Sequence, residues 1–350
     1  NICQLKNYKF TSAFFSLKHK QQQMKKVSVL AAASLLLFFG CSKSVSDKEQ
    51  MEEEVGLTQA SARSCYSYEV LQANLKADPS LKKRMDEIEA YTQRVMANPS
   101  AYKIVDGVME LPVHVNVLYK TAAENVTDAQ IQSQIDVLNE DFAATNTDYS
   151  LTPSEFQGVR SGNIQIKFVW TSANVTRRST TKTSWRTNDD MKRSTRGGIN
   201  PTSPATTLNM WVCNLSNSIL GYAQFPGGSS ATDGVVIDNN AFGRGNYPLF
   251  TAFNKGRTAT HEVGHYFNLR HIWGDATCGN DFVGDTPQHN TSNGGCPAYP
   301  HLSTCSGSPV EMTMNYMDYT NDVCMYMFTA GQAARMQATY AVGGPRAGLR

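Results

Sequence analysis

The chain has 350 residues, of which 41% are hydrophobic and 10% aromatic, and its formal net charge is +2. That length holds one large domain or two modest ones, the apolar content suffices for a globular core, and near-neutral charge excludes an electrostatic nucleic-acid binder. No tandem repeat is present, and no long apolar span follows residue 41.

Residues 24–41 read MKKVSVLAAASLLLFFGC. Lys25 and Lys26 form a basic start, Val27 to Phe39 is an apolar core too short to span a bilayer comfortably, and the small Gly40 precedes Cys41. This pattern predicts an export signal over 24–40 rather than part of a fold. A Cys directly after a small residue resembles a bacterial lipoprotein signal, with Phe38 where Leu is usual. The resemblance implies lipidation of Cys41 and a membrane anchor there. Residues 1–23 precede Met24 and are expected to lie outside the translated protein.

After Cys41 comes a polar, acidic tether, SKSVSDKEQMEEE. Over 67–97, Val70, Leu71, Leu75, Leu81, Met85, Ile88 and Val95 recur at helical spacing, broken near Asp78-Pro79. Residues 41–106 therefore read as a tether and helical propeptide. From Val108 the texture changes. Leu111, Val113, Val115, Val117 and Tyr119 alternate as a strand. Thr127 and Gln130 predict a capping box for a helix that carries Ile131, Ile135, Leu138 and Phe142 on one face. Ile164 to Phe168, Leu208 to Val212 and Val235 to Ile237 read as further strands. Beyond Ile272, Gly, Pro, Asn, Asp and Cys dominate until Thr313, and a last helix is predicted over Ala330 to Tyr340.

The chain contains eight cysteines. Cys278, Cys296, Cys305 and Cys324 cluster, and an exported chain meets oxidising conditions, so two disulfides are expected in one of three pairings. Cys213 lies in the apolar run LNMWVC and reads as a buried thiol. Cys65 sits in the presumed propeptide, where its thiolate can fill an open metal position and hold an enzyme latent.

Residues 258–271 read TATHEVGHYFNLRH. On a helix, His261 and His265 share a face and reach one ion. Glu262 stands where a general base for water is needed. A helix cannot bring a residue six past His265 to the same ion, so the chain must turn near Asn268, a residue that tolerates left-handed backbone. His271 then becomes the third ligand and leaves a fourth position open, which marks a catalytic zinc site rather than a structural one. A zinc protease whose third ligand is a later Glu is the competing arrangement. Glu311, the only Glu after Glu262, has a poor helical context for it.

This pattern resembles the metzincin clan, with Asn268 in place of the usual Gly. Downstream, MNYMDYTND (314–322) resembles the Met-turn of the pappalysin-like family, its cytophagalysin branch in particular, and the likeness extends over about residues 108–340. It implies an α+β, metzincin-like zinc protease. Its expected parts are a twisted mixed sheet, backing and active-site helices, and an irregular disulfide-stapled C-terminal subdomain. The catalytic domain is expected over 107–342, with a subdomain break near 271. The resemblance further implies a floor of Met317 beneath the imidazoles, an oxyanion donor in Tyr319, and bonds joining Cys278 to Cys305 and Cys296 to Cys324. It implies a specificity role for Asp322 favouring Arg or Lys after the cut bond. The loop CGNDFVGDTP resembles the family's calcium loop, with Asn280, Asp281, Val283 and Thr286 contributing to a Ca²⁺ site. The expected function is an exported, zinc-dependent endopeptidase acting on protein or peptide substrates. The alternative is a noncatalytic surface lipoprotein that binds a partner with the same fold.

Overall fold

The alternating run at Leu111–Val117 becomes an inner strand of a six-stranded sheet in the computed structural model, which describes residues 60, 62–101 and 107–350. The strands are β1 (Met109–Tyr119), β2 (Ile166–Val169), β3 (Val175–Ser179), β4 (Leu208–Cys213), β5 (Gly221–Ala223) and β6 (Val235–Asp238). The order is β2-β1-β4-β6-β5, and β3 also pairs with β1. β2 and β3 each pair with a different half of β1: Met109 faces Ile166, and Val115 faces Val175. All pairs are parallel except the edge pair of β5 with β6.

Both faces of the sheet are covered, which is why β4 is buried at every position rather than at alternate ones. One face packs Leu111, Val113, Val115 and Val117 with Ile131, Ile135, Leu138 and Phe142 of helix α3 (Asp128–Ala143). The same core takes in Ala259 and Val263 of helix α4 (Arg257–Tyr266). The other face buries Trp185, Met191, Trp211, Tyr222 and Val236, together with Val70 from helix α1 (Ser67–Ala77). Helix α2 (Ser80–Ala97) follows the break at Asp78-Pro79. It lies against α5 (Ala330–Tyr340) through Tyr91 and Val95.

Several expectations change in detail. Thr127 caps α3 by accepting from Gln130 N, but the box is half formed, because the Gln130 side chain donates to Phe242 O instead. The complete capping box belongs to α5, between Thr329 and Gln332. The fold also continues past residue 342. Arg346 is buried, donates to Tyr266 O and pairs with Asp233 at 2.6 Å, and Leu349 is in the core. The export signal, Cys41 and the tether lie outside the described residues. No helix among the described residues is long and apolar enough to cross a membrane. The region after α4 is irregular until α5, and two bonds staple it, Cys278–Cys305 and Cys296–Cys324. Cys213 is a buried free thiol.

Candidate active site

Helix α4 begins after Gly256, whose φ of +75° suits glycine, and is capped from far along the chain. The Asp322 carboxylate accepts from Lys255 N at 2.8 Å and from Arg257 N at 3.2 Å, supplying acceptors and negative charge to the helix start. Every residue of α4 is buried, so its polar side chains need partners. Thr260 donates to Asp141 Oδ2 at 2.7 Å, and Arg257 holds both Asp148 oxygens at 2.6 Å.

The chain turns back where expected, just past the helix. Asn268 has φ +71°, and Leu269 N closes the turn on Gly264 O. The reversal brings His271 back, so that His265 Nε2 lies 3.2 Å from His261 Nε2 and 3.1 Å from His271 Nε2. Each ring presents Nδ1 to an acceptor: His261 to Tyr316 O, His265 to Leu269 O, and His271 to the Asp275 carboxylate. Those acceptors place the ring proton on Nδ1, leaving three Nε2 lone pairs converging. Burial, then the neighbouring imidazoles, hold His261 and His265 well below the usual histidine range, so both are neutral. The sulfur of Cys65 joins them, and the four ligand atoms lie within 4.8 Å of one another. Converging lone pairs repel unless a cation sits among them, and three imidazoles plus one sulfur are a tetrahedral zinc set. The residues therefore fit zinc.

Met317 Sδ approaches α4 so closely that a Cβ on Gly264 would sit 2.5 Å from it. This explains the glycine inside the helix. Glu262 is buried; its Oε2 accepts from Ser67 Oγ at 2.8 Å and Cys65 Sγ at 3.3 Å, while Oε1 has no partner. Burial raises its carboxyl to about 7. Tyr319 donates its phenol to Cys65 O at 2.9 Å. Its ring stands edge-on to His271 and Trp273, which stack on each other at 4.3 Å. Burial, then the charges of Cys65 and Glu262, push the Tyr319 phenol up, so it keeps its proton.

Asp322 is fully buried and already paired, with Arg63 Nη2 at 2.6 Å from Oδ1. Arg63 also donates to Thr258 Oγ1 and Thr320 O, and its guanidinium lies 5.1 Å from the Phe253 ring. The Cys296–Cys324 bond and a hydrogen bond from Asn321 N to Gly295 O fix the segment that carries Asp322. Asn280, Asp281, Val283 and Thr286 form one tight loop. Asp281 accepts from Val283 N and Thr286 Oγ1, and burial raises its carboxyl to about 6. Glu311 is not in the imidazole cluster: it is buried, accepts from Asn290 N and Asn293 Nδ2, and lies 3.8 Å from the rings of His289 and His301.

Sequence reasoning missed Arg63, Ser67, Asp141 and Asp275. Asp141 joins three elements, since it also accepts from Tyr316 OH at 2.7 Å, and the carbonyl of Tyr316 holds His261. No periodicity marks these residues. For Arg63 and Ser67, closeness to Cys65 is the only signal in the chain.

The family model described as Pregnancy-associated plasma protein-A, a peptidase family, matches residues 207–341. An extracellular metalloprotease of Arthroderma benhamiae is 30% identical over 235 residues, 66% of this chain and 77% of the relative. Mature mirolysin of Tannerella forsythia, solved with a cleaved peptide, is 43% identical at a TM-score of 0.67. The match covers 70% of this chain and 96% of mirolysin. The chain belongs to the pappalysin family of metzincin metalloproteases. As a pappalysin it is a metalloendopeptidase, and the family implies zinc for the imidazole cluster just described. A mutant of promirolysin, the precursor form, is 39% identical at a TM-score of 0.74, with coverage of 82% of this chain and 97% of that one.

Proposed function

We propose that this chain is the latent, exported precursor of a zinc endopeptidase that cuts on the amino side of Arg, and less well of Lys. One observation carries the reading. Within five residues of the upstream segment, Arg63 pairs with Asp322, Cys65 joins the imidazoles, and Ser67 holds Glu262. The segment engages each working group of the site with a matching one. It lies along the β5 edge, with Leu220 N bonded to Ser64 O and Tyr66 N to Gly221 O. The wider coverage of the promirolysin match supports a pro-segment here, assigned to residues 41–106 with the catalytic domain following. The relatives' names support export, and the signal at 24–40 with a lipid anchor on Cys41 is its proposed route.

His261, His265 and His271 would hold the zinc, which when bound supplies a Lewis acid that polarises a carbonyl and acidifies water. Glu262 takes the proton of the attacking water and returns it to the leaving amine. Tyr319, which already donates to one peptide carbonyl, donates to the scissile oxygen as negative charge grows there. Met317 keeps the floor closed, and Asn280, Asp281, Val283 and Thr286 would take calcium and stiffen their loop. Asp322 selects the residue after the cut. Arg matches it better than Lys because its planar guanidinium spans several acceptors, as Arg63 does.

Asp322→Asn tests this. Asn keeps an oxygen for Lys255 N and Arg257 N and loses the charge. In the processed enzyme, the preference for Arg over its neutral isostere citrulline should fall by about 100-fold, the scale of a buried charge pair. An unchanged preference would place the specificity pocket elsewhere.

A further inference from the structure

The upstream segment fills one more charged position at the site, at the opposite end of α4 from Asp322. Glu89 of α2 reaches Arg335 of α5 with both carboxylate oxygens, one at 2.9 Å. Arg335 has a fully buried side chain, and its Nε donates at 2.9 Å to the carbonyl of Asn268, the residue that turns the chain between His265 and His271. Arg270 lies in that same turn. Its guanidinium sits 4.6 Å from the Phe225 ring, and that ring lies 5.2 Å from His265. The Nε of Arg270 is buried without a hydrogen-bond partner. A cavity of about 270 Å³ opens here, lined by Leu71, Met85, Glu89, Pro226, Arg270 and Phe282.

Two of these charged groups belong to the catalytic domain and one to the segment that covers it. When α1 and α2 leave, Glu89 leaves with them, and Arg335 loses its carboxylate partner beside Arg270. Asp275, the other acid acting on Arg270, is already engaged by His271. A pair of guanidinia beside an apolar wall is a receptor for a carboxylate. Its position follows from α4. Asp322 sits at the first turn and Asn268 just past the last, about 15 Å apart for a helix of ten residues at ~1.5 Å each, with the imidazoles between.

We propose that Arg270 and Arg335 form a subsite for an acidic side chain of the substrate, about two to four residues before the cut bond at ~3.3 Å per extended residue. Glu89 occupies that subsite in the precursor. The inference rests on the proposed reading that the upstream segment leaves and that Asp322 takes the residue after the cut.

The test uses the full chain after self-processing and a peptide series with Arg after the scissile bond. Glu, Gln and Lys are placed in turn at each of the four preceding positions. At one of them Glu should exceed Gln by about five- to twentyfold in kcat/KM, carried by KM and shrinking in high salt, as a partly exposed charge contact does. Arg270→Gln should bring that ratio near one, and Arg270→Glu should turn it toward Lys. Each ratio is taken within one variant, so any general loss of activity cancels. No position with a Glu-to-Gln ratio above twofold, or a ratio that survives both variants, overturns the subsite. If the all-Gln peptide is not cut before Arg, the reading beneath fails, and this inference falls with it.

Discussion

Arg63→Ala should release latency without touching the metal cluster. Arg63 makes hydrogen bonds to Asp322, Thr258 and Thr320, and its side chain and that of Asp322 are 1% and 0% exposed. Removing one partner of such a pair costs about 3–5 kcal/mol when the other charge stays dry. Here water can follow the vacated channel, so about 2–4 kcal/mol is the working figure. At 1.4 kcal/mol per decade that weakens docking of the segment by roughly 30- to 700-fold. Cys65, Ser67 and Glu89 still hold it, so release is partial. The assay is the initial rate of freshly folded, zinc-loaded precursor on a fluorogenic Arg peptide, with a gel showing the chain uncut. Arg63→Lys should fall between the parent and Arg63→Ala. An uncut Arg63→Ala precursor as silent as the parent would refute the claim that this ion pair anchors the segment.

Gly264→Ala should destabilise the fold by about 1–3 kcal/mol, because its Cβ would overlap Met317 Sδ, and should weaken zinc retention; thermal melts with metal analysis check both. Cys296→Ser with Cys324→Ser opens a loop closed across 28 residues, so stability should drop by about 3–4 kcal/mol, and KM for Arg peptides should rise as the Asp322 segment loosens. Denaturant titration and steady-state kinetics measure these. Asp318 is buried, and its carboxyl is raised to about 7. Its folded value exceeds its unfolded one, so the folded state holds a proton the unfolded chain has lost, and stability declines as pH rises from near 4 through about 7. Asp318→Asn should remove up to ~1.4 kcal/mol per pH unit of that decline, read from melting temperature against pH.

The imidazole cluster was legible because its geometry is local: a helix places His261 and His265, and one left-handed residue, Asn268, returns His271. The periodic elements were legible for the same reason. α5 falls on the residues expected of it, and β1 follows its alternation as far as Val115, beyond which Asn116 and Leu118 are buried too. β3 was not legible, since Val175-Thr-Arg-Arg-Ser is a half-exposed strand held by backbone register rather than by an apolar stripe. β5 is three residues long and begins with glycine. The contacts that position the site were hidden because they join distant residues. Asp322 reads in sequence as an acid near a pocket, and only the fold shows it capping α4 and engaged by Arg63. Asp141 looks like one more polar position on α3 until Thr260 and Tyr316 are seen converging on it.

The most direct test is to map cleavage sites on a denatured protein by mass spectrometry, using the processed enzyme beside Glu262→Ala, with zinc content measured in both. The account predicts Arg immediately after most cuts. It also predicts that Glu262→Ala keeps its zinc and loses activity by about 10²–10⁴-fold or more. Cuts that precede large apolar residues, or near-normal activity in Glu262→Ala, would contradict it.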